Sequence, residues 1–230
     1  MSNFLETSVF FGVFITLASY GVGMMIKRKL KMAVFNPILI AVFIIIVVLL
    51  IFGADYEKYN EGAKYISYLL TPATVCLAVP LYKKFELLKK NFAAVFAGIL
   101  SGTITSLLCV FVLACLFSLD HASYVTLLPK SVTSAIGLGI SEELGGYTSI
   151  AVAVIIITGI LGNVSAVAVC KMFRIEDPIA KGVAIGTASH VVGTTKAMEL
   201  GEIEGAISSL SIVVAGLLTV VGASIFAQFI

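Results

Sequence analysis

Charged residues are scarce in this chain: they make up 12% of its 230 residues, against roughly 25% in soluble domains. Apolar residues make up 60%, which excludes an ordinary soluble domain. The composition therefore predicts an all-α, polytopic membrane protein with a single integral membrane domain over residues 1–230. The net charge of +2 is small, and the basic residues cluster between apolar runs, so we predict no nucleic-acid partner.

Catalytic and cofactor motifs are absent as well. The sequence contains no Gly-x-Ser-x-Gly elbow, His-Glu-x-x-His, Walker loop or dinucleotide fingerprint. We therefore expect no enzymatic activity, no cofactor, no metal site and no direct use of ATP. The four cysteines show neither metal-ligand spacing nor an extracellular pairing pattern, so we expect them to be small buried hydrophobic residues. They are Cys76, Cys109, Cys115 and Cys170.

The chain contains several long apolar stretches. A helix of about 20 apolar residues crosses a hydrocarbon core, and the sequence predicts six long transmembrane helices plus two short broken or re-entrant helical segments. The six lie near 8–26, 33–53, 65–82, 92–118, 148–170 and 205–230, and the two short segments near 125–141 and 182–198. Residues 1–118 thus hold the amino-terminal helices and residues 125–230 the motif-bearing half.

Basic residues indicate the orientation. Lys27–Lys31 and Lys83–Lys90 predict cytoplasmic connections, which places the amino terminus outside. The residues before the first apolar stretch lack the basic region of a secretory signal, so we expect that helix to be retained. If both short segments cross, the loop 171–181 lies outside. If both are re-entrant, that loop is cytoplasmic and Glu142-Glu143 is outside, the arrangement that the positive-inside rule favours.

The first short segment carries Lys130 in an otherwise uncharged run. A lysine at the bilayer centre costs about 2.5 kcal/mol or more unless it is paired or hydrated, so we expect an anionic ligand there. Ser131, Thr133 and Ser134 would supply hydroxyl groups to that ligand. In the alternative interpretation, Lys130 snorkels from an interfacial helix end.

The second short segment carries His190, which can exchange protons near neutral pH. The alternative is a structural histidine. On an unbroken helix His190 lies nearly opposite Glu199, so bringing them together requires a break, which we predict at Gly193. The candidate substrate ligands in this segment are His190, Thr194, Thr195 and Lys196, and the candidate proton-coupling groups are His190 and Glu199.

Several motifs resemble the LrgB/CidB family of bacterial membrane proteins, to which the plastidial glycolate/glycerate translocator also belongs. The matching stretches are residues 72–83, 128–133, 141–146, 158–162, 180–190, 193–199 and 205–209. The resemblance implies a multi-pass protein of the bacterial inner (cell) membrane. We also expect a homo-oligomer, namely a dimer.

The resemblance implies two functions. Bacterial members are named for a holin/antiholin role in murein hydrolase export and cell lysis, beside a small LrgA/CidA-like membrane partner, and others move short carboxylates such as pyruvate, glycolate or glycerate. A pore needs no lysine, histidine and glutamate in Gly-broken segments, whereas a carboxylate carrier needs a cation and a proton-coupling group. Proton-coupled secondary transport of a small carboxylate is therefore our main hypothesis, and the holin/antiholin role is the alternative.

Overall fold

The computed structural model describes residues 10–30, 37–69, 72, 75–76, 79 and 82–230, including all of their side chains except those of residues 87 and 88. These residues form an all-helical structure, as predicted. The helices are α1 (Phe10–Leu30), α2 (Pro37–Phe52), α3 (Tyr56–Ser67), α4 (Phe85–Lys90), α5 (Phe92–Phe117), α6 (His121–Leu127), α7 (Ser134–Glu143), α8 (Thr148–Met172), α9 (Pro178–Leu200) and α10 (Glu202–Phe226), followed by a 3₁₀ turn (Ala227–Phe229).

Four helices in the described residues are long and apolar enough to cross a membrane, namely α1, α5, α8 and α10 with its 3₁₀ extension. Four of the six predicted long spans therefore form helices that could cross a membrane. The predicted span near 33–53 contains the shorter α2, with 16 residues. In the predicted span near 65–82, eight of the 18 residues lie outside the described residues.

The charged connection between the second and third predicted spans is a helix rather than a loop. Asp55 starts α3 by accepting a hydrogen bond from the backbone nitrogen of Glu57 at 3.1 Å. Such an N-cap satisfies a backbone donor that has no partner within the helix, so it favours helix initiation at this point.

The chain divides into two compact units, Met1–Cys76 and Leu77–Ile230. In the first unit α1 lies close to α3. A Cβ atom on Gly12 would lie 2.9 Å from the carbonyl carbon of Gly62, so only glycine permits this approach. The hydroxyl groups of Thr16 and Tyr59, 2.9 Å apart, add a polar link between the same two helices.

The second unit is built around α5, α8 and α10. The first turns of α5 pack on the first turns of α10, and their last turns also pack together, so the two helices run parallel. α8 runs in the opposite direction, because its last turn lines a cavity together with Lys181 at the start of α9, and the next residue, Gly182, packs against the first turns of α10. We define the basic end of this unit by the start of α5, the end of α8 and the start of α10. The cations near it are Lys83, Lys84, Lys89, Lys90, Lys171, Arg174 and Lys181.

The first predicted short segment is a helical hairpin, which we call the first hairpin: α6, residues 128–133 and α7. It starts at the end opposite the basic end, where the Tyr124 hydroxyl donates to the carbonyl oxygen of Phe226 at 2.9 Å. Its tip contains Lys130, which reaches Ser106 near the middle of the 26-residue α5. The chain then returns, and the backbone nitrogen of Tyr147 donates to Thr126 Oγ1 at 2.7 Å.

The second predicted short segment folds back in the same way. Residues on both sides of His190 meet the same part of α10: Thr194 Oγ1 lies 2.7 Å from Ser208 Oγ, and a Cβ atom on Gly186 would lie 2.8 Å from Ser208 Cα. Ile185 and Ala197, on the two arms, share one buried cluster. Thus α9 is a helical hairpin, the second hairpin, which starts and finishes at the basic end. Its outgoing arm is residues 178–189 and its returning arm is residues 191–200, with His190 at the tip.

The predicted break at Gly193 is wrong. The non-helical residue is His190, with φ 42° and ψ −139°. Gly193 has another role: a Cβ atom there would overlap the side chain of Ser189, so its lack of a side chain lets the chain turn tightly after the tip.

The prediction that all four cysteines are buried is also wrong. Only Cys170 is buried, and Cys76, Cys109 and Cys115 are exposed on the isolated chain. An apolar side chain that faces lipid is as favourably placed as one in a protein core, so apolar sequence does not distinguish the two surfaces.

Candidate functional site

The tip of the first hairpin and the outgoing arm of the second hairpin line one cavity beside α5. The cavity has a volume of about 270 Å³. Its lining comprises Gly98, Gly102, Thr105, Ser106 and Cys109 of α5, Lys130 and Ser131 of the first hairpin, and Val183, Ala184, Thr187 and Ala188 of the second. Pockets for drug-sized ligands have volumes of about 300–1,000 Å³, so this cavity suits a smaller molecule.

Lys130 is the charged residue in the lining of this cavity. Its ammonium group donates to Ser131 Oγ at 2.9 Å and to Ser106 Oγ at 3.0 Å. These bonds use two of its three N–H donors. Within the described residues no carboxylate lies within 4.0 Å of the ammonium group. Lys130 therefore presents an uncompensated positive charge and a remaining donor at the middle of the helix bundle.

Thr187 supplies a second group without a partner. Its side chain is 6% exposed, and its hydroxyl oxygen has no hydrogen-bond partner in the described part of the chain. Buried hydroxyl groups are usually paired, so this one indicates a ligand or water that completes it. A Cβ atom on Gly102 would lie 2.9 Å from Thr187 Cγ2, so glycine in α5 leaves the room that this side chain occupies.

His190 forms the tip of the second hairpin, and the lining of the cavity stops two residues before it. Its Nε2 lies 3.0 Å from the carbonyl oxygen of Ile155 in α8. A carbonyl oxygen only accepts, so Nε2 carries a hydrogen in either protonation state of the ring. A Cβ atom on Gly159 would lie 2.7 Å from His190 Cε1, so the ring fits against α8 only because residue 159 is glycine.

The backbone of His190 is strained, because a φ of 42° lies in a region that side chains other than glycine rarely adopt. Two hydrogen bonds hold it there. Besides the ring contact, the hydroxyl of Thr194 donates to the carbonyl oxygen of His190 at 2.9 Å. Since that hydroxyl has one hydrogen, Ser208 must be the donor in the 2.7 Å contact between Ser208 and Thr194.

Lys196 and Glu199 lie further along the returning arm and form an ion pair, with 2.8 Å between Lys196 Nζ and Glu199 Oε2. The His190 ring has its own partner in α8. Thr195 forms hydrogen bonds with a different set of groups. Its hydroxyl accepts from Asn163 Nδ2 at 3.0 Å and donates to the carbonyl oxygen of Val192 at 2.8 Å.

The remaining predicted residues of the first hairpin lie at the start of α7. Thr133 is its N-cap, and its side-chain oxygen accepts from the backbone nitrogen of Ile136 at 3.4 Å. Ser134 is the first residue of the helix. Of the predicted ligands, Lys130 and Ser131 are the ones that line the cavity.

Two cavity residues were missed from the sequence, Ser106 and Thr187. Ser106 lies within α5, whose composition resembles that of any spanning helix. The available signal was the run Gly102-Thr103-Ile104-Thr105-Ser106, which adds hydroxyl groups to a small-residue motif in an apolar helix.

Comparison with known proteins supports the resemblance inferred from the motifs. The LrgB-like family model matches residues 16–229. The chain is 37% identical over 222 residues to the antiholin-like protein LrgB of Bacillus cereus (strain B4264), covering 96% of both chains. The same values hold for the antiholin-like protein LrgB of Bacillus anthracis (strain CDC 684 / NRRL 3495). No solved structure matches the chain.

Proposed function

The chain belongs to the LrgB-like family, and for this member we propose secondary transport of a small carboxylate through the cavity between the two hairpins. The observation that carries the proposal is Lys130, whose ammonium group faces this cavity with hydroxyl partners and no carboxylate within 4.0 Å among the described residues. A carboxylate supplies the missing negative charge. Its oxygens accept from the third N–H of Lys130 and from the hydroxyl of Thr187.

The two hairpins provide a route for alternating access. They start at opposite ends of the second unit, and their tips lie near the middle of the spanning helices α5 and α8. Transporters commonly bind substrates near the bilayer midplane, between broken helices, and move one element against another around that site. Movement of either hairpin would open the cavity to its own side, because Lys130 belongs to one hairpin and Thr187 to the other.

Thiol protection tests the proposed site directly, because Cys109 is exposed and lines the cavity. In a variant that retains Cys109 alone, we expect a millimolar concentration of the transported carboxylate to slow maleimide labelling several-fold. The additional substitution Lys130→Ala should remove the protection. Uptake of labelled pyruvate, glycolate and glycerate into proteoliposomes identifies the substrate. Equal labelling rates with and without all three carboxylates would contradict the proposal.

The names of the relatives favour a second candidate function, an antiholin-like role in murein hydrolase export and lysis with a small membrane partner. They support this role more directly than they support transport. The two functions are separable in a strain that lacks the native gene. If the chain restores control of lysis while Lys130→Ala restores it equally well, the antiholin-like role does not depend on the cavity. If Lys130→Ala fails at normal abundance, carboxylate transport underlies that role.

We predict that the basic end is cytoplasmic and that both hairpins are re-entrant. In a background without the four native cysteines, single cysteines at Arg174 and Leu200 should react with an impermeant maleimide only after the inner face is opened. A cysteine at Glu143 should react in intact cells. Labelling of Arg174 and Leu200 from opposite faces would mean that residues 178–200 cross the membrane.

We predict that His190 couples transport to protons. His190→Gln keeps an N–H donor for the carbonyl oxygen of Ile155 but cannot titrate near neutral pH. This variant should exchange labelled for unlabelled substrate across proteoliposomes at a rate near that of the wild type, yet lose accumulation driven by an inward proton gradient. If the His190→Gln variant accumulates substrate with the wild-type pH dependence, His190 is not the coupling group, and Glu199 becomes the candidate.

A further inference from the structure

A second cavity, of about 260 Å³, lies at the basic end. It is bounded by the last turns of α8, by the loop that follows, and by the two ends of the second hairpin that lie at the basic end. Lys181 of the outgoing arm and Leu200 of the returning arm both line it. An occupant would therefore touch α8 and both arms of the hairpin at once.

Three cations line this cavity: Lys171, Arg174 and Lys181. Glu176 is the acidic residue in the same lining. Within the described residues no carboxylate, including that of Glu176, lies within 4.0 Å of any of the three cationic groups. The neighbouring Asp177 is engaged elsewhere, because its side chain accepts from the backbone nitrogen of Ala180 at 2.8 Å. The positive charges therefore exceed the negative charge within the lining.

Arg174 occupies a backbone position that favours glycine. Its φ is 55°, and the backbone nitrogen of Ile175 donates to the carbonyl oxygen of Cys170 at 2.8 Å. This is the pattern in which helices usually finish with a left-handed glycine. The chain thus holds a long cationic side chain in the lining of the cavity, in a backbone conformation that an arginine adopts only with strain.

We propose that this cavity binds the phosphate group of an anionic phospholipid. The planar guanidinium group of Arg174 matches two phosphate oxygens, and the two lysines add point charges that suit a phosphate. Val167, Ile175 and Leu200 provide apolar lining for the glycerol and the first acyl carbons. Basic pockets between membrane helices at the cytoplasmic surface are suited to such headgroups. This site is separate from the cavity at Lys130, and the proposal does not depend on transport.

Arg174→Gly is the most informative variant, because glycine fits the backbone at this position. We would measure thermal unfolding of the full chain in detergent with added phosphatidylglycerol or phosphatidylcholine, and count bound lipids by native mass spectrometry. Phosphatidylglycerol should raise the unfolding temperature of the wild type and remain bound. Arg174→Gly should unfold at the same or a higher temperature without anionic lipid, yet bind phosphatidylglycerol about tenfold more weakly, as expected for one lost charge-assisted contact.

Lys90→Ala is the matched control, since Lys90 is an exposed cation near the same end that does not line the cavity. It should bind phosphatidylglycerol as the wild type does. The phosphate group in this cavity could belong to a phospholipid or to free inorganic phosphate, and a competition experiment distinguishes them. If about 10-fold excess inorganic phosphate fails to displace phosphatidylglycerol, the result supports the phospholipid. Full displacement would overturn the proposal in favour of free phosphate. Equal retention of phosphatidylglycerol by the wild type and Arg174→Gly would overturn the site itself.

Discussion

Lys130→Ala is expected to reduce carboxylate uptake by at least about 30-fold, because removing one partner of a buried charge pair typically costs about 2–5 kcal/mol. Lys130→Arg should retain part of the activity, since it keeps the charge but changes the donor geometry. Ser106→Ala should lose about tenfold, the effect of one charge-assisted hydrogen bond of about 1.5 kcal/mol, because it removes an acceptor that holds the ammonium group at 3.0 Å. Initial uptake rates in proteoliposomes measure all three variants.

Loss of uptake in Lys130→Ala should not come from misfolding. An unpaired lysine inside the membrane costs free energy, so its removal should leave the unfolding temperature unchanged or raised. Lys90→Ala, at an exposed position, is the control for the loss of one positive charge. Uptake by Lys130→Ala within twofold of the wild type would place Lys130 outside the substrate path and favour the interfacial interpretation of this residue.

Gly159→Ala is expected to have the second large effect, by displacing the tip of the second hairpin. The added methyl group would lie 2.7 Å from His190 Cε1 and 2.8 Å from Nε2. The ring must then move away from α8 and lose its hydrogen bond to Ile155. Overpacking typically costs about 1–3 kcal/mol, and a lost hydrogen bond adds about 1 kcal/mol. We expect a lower unfolding temperature and uptake reduced by at least tenfold.

Gly139→Ala provides the matched control, because no atom lies within 4 Å of a Cβ atom built on Gly139 in α7. In that exposed helical position alanine should stabilise the helix by up to about 1 kcal/mol. The two variants add the same methyl group to helical glycines and should shift the unfolding temperature in opposite directions. A Gly159→Ala protein that unfolds and transports like the wild type would show that the His190 contact with α8 is not required.

Several features of this protein could be predicted from particular residues. Lys130 and His190, each in an apolar run interrupted by small polar residues, indicated the two short segments that fold as hairpins, although the break in the second was predicted at Gly193. The charged loop around Arg174 favoured re-entry of residues 182–198 over crossing, and the folded structure brings Lys181 and Leu200 to one cavity. Polar residues within apolar sequence mark such breaks because burying a charge or exposing backbone in hydrocarbon is costly.

The sequence alone determined the all-helical membrane class and the polar breaks, since these follow from local composition. Only the tertiary structure decided which groups meet. Ser106 and Thr187 are separated by 81 residues, yet both line the Lys130 cavity because two hairpins from opposite ends bring them beside α5. Only the fold decided that the chain turns at His190 rather than at Gly193. The strained backbone is held in part by the hydrogen bond between the His190 ring and Ile155, and such a long-range contact leaves no local pattern in the sequence.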